Sequence, residues 1–161
     1  MFEVLVYVYE NYWRGDDCPE PAHLERKLNA VGFETGEIKA ALTWLNGLLL
    51  ATRHINNKEA KDTPIAQFNS KDISMRIYSA EEQNKIGYDG LGFLTFLQNS
   101  GALSQELREV VIDRCLDIPE EPVGLDDLKI VVLMVYWRVG QEPDPLVLDE
   151  LCDDTFNRIA H

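Results

Sequence analysis

The stretch Ile73-Ser74-Met75-Arg76-Ile77-Tyr78 alternates apolar and polar side chains with a period of two. In an extended chain successive side chains point to opposite faces, so the alternation predicts one short, half-buried strand. This reading decides the fold, because the long periodic segments on either side are helical. Directly after it, Ser79-Ala80-Glu81-Glu82 matches a capping box, in which the Ser oxygen and the Glu carboxylate satisfy orphan amides. A helix is expected to begin there abruptly. Directly before it, the polar run from Arg53 to Asp72, with Asn56-Asn57 and Pro64, predicts a long loop or the tip of a hairpin.

Upstream, Phe2 to Tyr12 carries both an alternating pattern and a helical face made by Leu5, Val8 and Tyr12. It is read as helix, since a lone N-terminal strand would need partners that the chain barely offers. Pro21 suits a first helical position, Leu24, Leu28 and Val31 follow at i, i+4 and i+7, and Gly32 supplies a stop. A third helix begins near Glu34, with Ile38, Ala41, Leu42, Leu45, Leu48 and Leu49 on its apolar face. Two shorter helices, a longer one, a loop and a strand form the order of a winged-helix unit. The third helix lacks DNA-reading chemistry, because residues 34–51 offer Lys39 as their only basic side chain against Glu34 and Glu37.

Downstream, Gly87, Gly90 and Gly92 interrupt the pattern ahead of Phe93, Leu94 and Leu97, predicting two helices or one bent one that stops at Gly101. Ser104 is placed to cap a helix with Leu107, Val110 and Val111 inside, ended by the Pro-rich stretch from Pro119 to Gly124. Leu125, Leu128, Val132 and Val135 mark a helix apolar nearly all round, expected at the centre of the second half. A last helix carries Leu148, Leu151, Cys152, Phe156 and Ile159. The expected fold is therefore mainly α: a winged-helix-like unit over residues 1–78, with three helices and a short β element, then an acidic helical unit over 79–161. The two could equally pack as one compact domain.

The net charge of −13 is unevenly spread. Residues 1–80 hold 9 basic and 11 acidic side chains, and residues 81–161 hold 6 and 17. An anionic surface opposes nucleic-acid binding by the whole molecule, since that affinity rests on Lys and Arg neutralising phosphates. The opening residues lack a basic n-region and the apolar run from Leu128 to Val139 is too short to span a bilayer, so a cytoplasmic protein without a membrane anchor is expected. Cys18, Cys115 and Cys152 are odd in number and form no CxxC pair, which fits structural thiols in a reducing compartment.

No catalytic, cofactor or metal site emerges. Gly87-Tyr88-Asp89-Gly90-Leu91-Gly92 lacks the strand and the Walker lysine of a phosphate loop, and packing explains it better. His23, His54 and His161 form no HxxxH pair, and no GxSxG elbow occurs. Asp126-Asp127 opens a helix, where the macrodipole accounts for it. Arg53, Lys58, Lys61, Lys71 and Arg76 cluster around the expected loop and strand, interleaved with Glu59, Asp62 and Asp72. They read as a solvated loop or, more sharply, as a contact patch for an acidic partner or nucleic acid.

Several segments together resemble the bacterial Smg family, a domain of unknown function. They are Ser74-Met-Arg-Ile-Tyr78 with Glu81-Glu82, Gly92-Phe-Leu94, Arg108-Glu-Val-Val-Ile-Asp-Arg114, and Asp127-Leu-Lys129 with Val131-Val-Leu-Met-Val135. Met1-Phe2, Gly32-Phe33 and Ala41-Leu42 extend the resemblance over nearly the whole chain. It implies no activity or catalytic residue; gene neighbourhood in the family implies at most a DNA-related pathway. The expectation is a non-enzymatic adaptor or regulator whose acidic half faces a basic protein surface. The alternative is direct DNA or RNA binding through residues 53–76. Arg76, Arg108, Asp127 and Lys129, polar members of these segments, are the candidate partner contacts.

Overall fold

The computed structural model describes residues 1–12, 20–59 and 76–152, and among them the regular structure is entirely helical. The helices are α1 (Phe2–Tyr12), α2 (Pro21–Val31), α3 (Thr35–Glu59), α4 (Ala80–Asn99), α5 (Gln105–Leu116), α6 (Leu125–Val139) and α7 (Pro145–Cys152). Local signals set most of their ends. At the start of α4 the Ser79 amide donates to Glu82 Oε2 at 2.8 Å and the Glu82 amide donates to Ser79 Oγ at 3.2 Å, the reciprocal bonds of a capping box. Ser104 accepts from the Leu107 amide at the start of α5. Gly32 ends α2 at φ +106°, where a side chain would be strained.

Within α4 the backbone leaves helical geometry at Gly87 (φ +73°, ψ +168°), so the glycine run produces one bent helix. α1 is a helix because Val4, Leu5 and Val8 all go to the interior with Val6 and Tyr9, and an isolated strand would have left its amides unpaired. α6 is the central shaft. Every side chain from Leu128 to Tyr136 is buried, and α1, α3, α4, α5 and α7 all pack against it. The apolar interior runs without a break from Val4 and Leu5 through Leu48 to Met134 and Leu151.

The winged-helix expectation and its short β element are corrected. Residues 73–75 lie outside the described residues, and residues 76–79 carry no strand and pair with none among the described residues. The alternation is real but its sense is reversed: Ile77 is 87% exposed, while Arg76 and Tyr78 turn inward. Arg76 is drawn onto Glu82 and Glu109 and stacks over the Tyr78 ring at 4.7 Å. Charge pairing fixes the segment where a sheet ladder was expected. α3 is not a free recognition helix either, because it packs against α1, α2, α5 and α6. Its Trp44 Nε1 donates to the Arg114 carbonyl at 3.0 Å, and a Cβ at Gly47 would stand 2.1 Å from Arg114 Nη1.

α3 also runs on to Glu59, through residues 53–59 that were expected in a loop. No glycine or proline interrupts them, and Leu48, Thr52 and Ile55 continue its inner face at i, i+4 and i+7. Buried Thr52 satisfies its hydroxyl by donating to the Leu48 carbonyl at 2.8 Å. Phe156 and Ile159, expected in the last helix, lie outside the described residues, as do Cys18 and His161.

Candidate functional site

Two of the four candidate contact residues meet at one carboxylate. Arg76 donates to Glu109 from Nε at 2.7 Å and from Nη2 at 2.8 Å, and to Glu82 from Nη1 at 3.0 Å and Nη2 at 2.8 Å. Arg108, buried on α5, donates to the same Glu109 from Nε at 3.0 Å and Nη2 at 2.7 Å, and to Gln98 Oε1 on α4. Glu109 thus lies between two guanidinium groups: Arg76 engages both of its oxygens, and Arg108 donates twice to Oε1. The network ties the segment before α4, the first turn of α4 and the middle of α5 together.

The electrostatics follow from that geometry. Hydrogen bonds from Arg76 hold the Glu82 carboxyl at about 2, against an opposing effect of burial, and the Ser79 amide adds to the depression. Burial would raise Glu109, but hydrogen bonds from Arg76 and Arg108 outweigh it and leave its carboxyl below the usual range. Hydrogen bonds to Glu82 and then Glu109 push the Arg76 guanidinium upward. These groups are spent on one another, so Arg76 and Arg108 are structural ties rather than cations presented to solvent.

The other two candidates stand on α6. Asp127 is half-buried in its first turn. Lys129 is buried, with Nζ 3.3 Å from Glu150 on α7 and 5.8 Å from the centre of the Phe93 ring on α4. It joins three helices from the inside. Of the basic cluster expected near residues 53–76, Arg53 is exposed on α3, Arg76 is committed to the carboxylates just described, and Lys61 and Lys71 lie outside the described residues.

The feature that sequence reasoning missed is a segregation of charge between interior and surface. From residue 76 to residue 152, every lysine and arginine is buried or half-buried: Arg76, Lys85, Arg108, Arg114, Lys129 and Arg138. Lys85 donates to the Ile118 carbonyl and lies 3.6 Å from Glu121, and Arg114 meets Asp113 at 2.7 Å and Asp117 at 2.8 Å. All exposed charges over the same residues are carboxylates, from Glu81 to Glu150. Exposed cations occur instead on α2 and α3, as Arg26, Lys27, Lys39 and Arg53. Composition showed the sign of this surface; only burial shows that its cations are withdrawn.

Cys115 lies fully buried on α5, and burial pushes its thiol up to about 12 against a smaller opposing pull from Lys85. A thiol so placed has almost no thiolate at neutral pH. In the folded protein, Cys115 is expected to react with an alkylating reagent at least about 100-fold more slowly than in urea. Site-resolved mass spectrometry of a labelling time course measures it, and comparable rates in the two conditions would contradict this placement. Among the described residues, no group of three or more His, Cys, Asp or Glu side chains is arranged to hold a metal ion. No helix among them is long and apolar enough to cross a membrane.

Comparison with known proteins extends over the full length. The model of the family described as "Protein of unknown function (DUF494)" matches residues 1–161. A Protein Smg homolog of Methylibium petroleiphilum is 46% identical over 161 residues, covering 100% of both chains. One from Leptothrix cholodnii is 46% identical over 162 residues, and one from Bordetella pertussis 43% identical over 162, each again covering 100% of both chains. No solved structure matches. A match across every residue places the chain in a family: it belongs to the bacterial Smg family, DUF494.

Proposed function

We propose that this protein is a non-enzymatic adaptor or regulator that binds a basic protein through the surface of its second half. The carrying observation is the charge segregation: the exposed charges from residue 76 to residue 152 are all anionic, while the cations of the same residues are held inside. Such a field draws in a cationic partner and accelerates encounter, and it repels a phosphate backbone. Stability alone does not require the arrangement, since mixed signs on a surface reduce self-repulsion.

Affinity purification of the tagged full chain from its native host at low salt tests the reading. A stoichiometric protein partner is expected that elutes as ionic strength is raised, because exposed ion pairs are screened within about 10 Å at 0.1 M salt. Absence of any stoichiometric partner, together with a gel shift of duplex or single-stranded nucleic acid by micromolar protein, would replace this reading with direct nucleic-acid binding.

A further inference from the structure

We infer that the groove between α4 and α7 is where this partner docks, seating the apolar side chains of a basic, amphipathic segment. The inference rests on the adaptor reading and assigns it a place. The groove encloses about 400 Å³ and is lined by Phe93, Phe96 and Leu97 from α4 and by Leu146, Val147 and Glu150 from α7. Its size is in the range that accepts a few apolar side chains. Leu146 is 80% exposed and Phe96 is 57% exposed, two large apolar side chains facing the same open space. Covering them would add roughly 25 cal/mol for each Å² of apolar surface removed from water.

The walls are held before any partner arrives. Lys129 reaches from α6 to Glu150 on one wall and lies over the Phe93 ring of the other, so one buried cation touches both walls. At the start of α7 the Leu146 amide donates to Asp144 Oδ1 at 2.9 Å, and at its far end Leu151 is fully buried. A preformed groove loses less entropy on binding than one that must assemble.

Charge selects the occupant. Asp144, Asp149 and Glu150 are exposed on α7 and just before it, Asp89 is exposed on α4, and neither helix exposes a basic side chain among the described residues. An apolar groove bordered by Glu150, on helices whose exposed charges are all anionic, complements leucine, isoleucine or phenylalanine anchors flanked by lysine or arginine, the pattern of an amphipathic helix laid into a groove. An acidic segment or a nucleic acid meets like charge on the same helices.

The test is fluorescence anisotropy of the full chain with two labelled helical peptides of equal charge, one of lysine and leucine at helical spacing, the other with the leucines replaced by serine. The leucine peptide is expected to bind at least about tenfold more tightly than the serine peptide. Leu146→Asp and Phe96→Ser are each expected to weaken the leucine peptide at least about tenfold, without change in circular dichroism or Tm. Leu146→Asp is informative because it adds negative charge in the first turn of α7, where the macrodipole accepts it; a loss of binding therefore reports lost apolar contact, not lost attraction.

Unchanged affinity in both variants would overturn the groove while leaving the adaptor reading intact, since the peptide would then be held elsewhere on the acidic surface. Failure of the wild-type chain to bind either peptide would remove both. A wild-type dimer in sedimentation that Leu146→Asp converts to monomer would assign the groove to a second copy. An affinity gain of about tenfold from Phe156→Ser and Ile159→Ser would assign it to the chain's own C-terminal residues. Either result overturns the proposal.

Discussion

Arg76→Ala is expected to lower the free energy of unfolding by about 2 to 3 kcal/mol at neutral pH and to flatten its dependence on acid. The guanidinium makes four charge-assisted hydrogen bonds, two to Glu82 and two to Glu109. Such bonds are individually worth about 1.5 to 3 kcal/mol. The sum is far smaller here, because the Glu109 side chain is 47% exposed and water takes over much of what that pair loses. Glu82 is only 14% exposed, so its half of the interaction is less screened. Arg76→Lys is expected to recover only part of the loss, since an ammonium lacks the planar fork that makes paired bonds to each carboxylate.

The acid dependence has a definite sign. The folded carboxyl of Glu82 is depressed to about 2 from 4.5. A depressed carboxylate contributes stability that is fully present above its unfolded pKa and is lost as pH falls through the folded one. The window is therefore about pH 4.5 down to 2, over which the wild-type chain is expected to lose about 1 to 2 kcal/mol through this group after allowance for screening. Urea unfolding at several pH values for wild type and Arg76→Ala measures both effects. If the two proteins show the same midpoint at pH 7 and parallel curves in acid, the network does not hold the segment before α4 in place, and Arg76 returns as a residue free to meet a partner.

Leu128→Ala is expected to cost more, about 3 to 4 kcal/mol. Leu128 is fully buried in the first half of α6, the helix that five others touch, and its Cδ2 lies 3.1 Å from where a Cβ at Gly90 would stand. The truncation removes buried methyl groups beside Gly90 of α4, which has no side chain with which to refill the space. Chemical denaturation should show a lower midpoint with an unchanged slope, as expected for a cavity in a two-state core. Leu146→Ala, at an 80% exposed position of the groove, is the contrast and should shift stability by no more than about 0.5 kcal/mol. A loss below about 1 kcal/mol at Leu128 would mean that α6 is not the shaft on which the groove is built.

The parts of this protein that the sequence determined by itself are those that act within a few residues. The capping box at Ser79 and Glu82, the cap at Ser104, the bend at Gly87, the stop at Gly32 and the all-apolar character of α6 each depend on neighbours no more than a turn or two away, and each was legible. The acidity of the second half was legible too, as a count, and so was family membership, through segments spread over nearly the whole chain.

Tertiary structure decided whatever depends on a partner far along the chain. The alternation at residues 73–78 predicted a strand, but a strand exists only if another strand completes its ladder. Arg76 instead found a carboxylate 33 residues away in Glu109. α3 continued past Arg53 because Ile55 met the core: the spacing of Leu48, Thr52 and Ile55 permits the extension, but only packing decides it against the polar character of the stretch. The same reason governs the candidate site: Lys85, Arg108, Arg114 and Lys129 look like surface cations in the sequence, and each is withdrawn by groups on other helices, in loops or on its own helix once the chain is packed. Charge is written in the sequence, but which charges face water is a property of the packed chain, and that selection leaves the exposed charges of residues 76–152 all anionic.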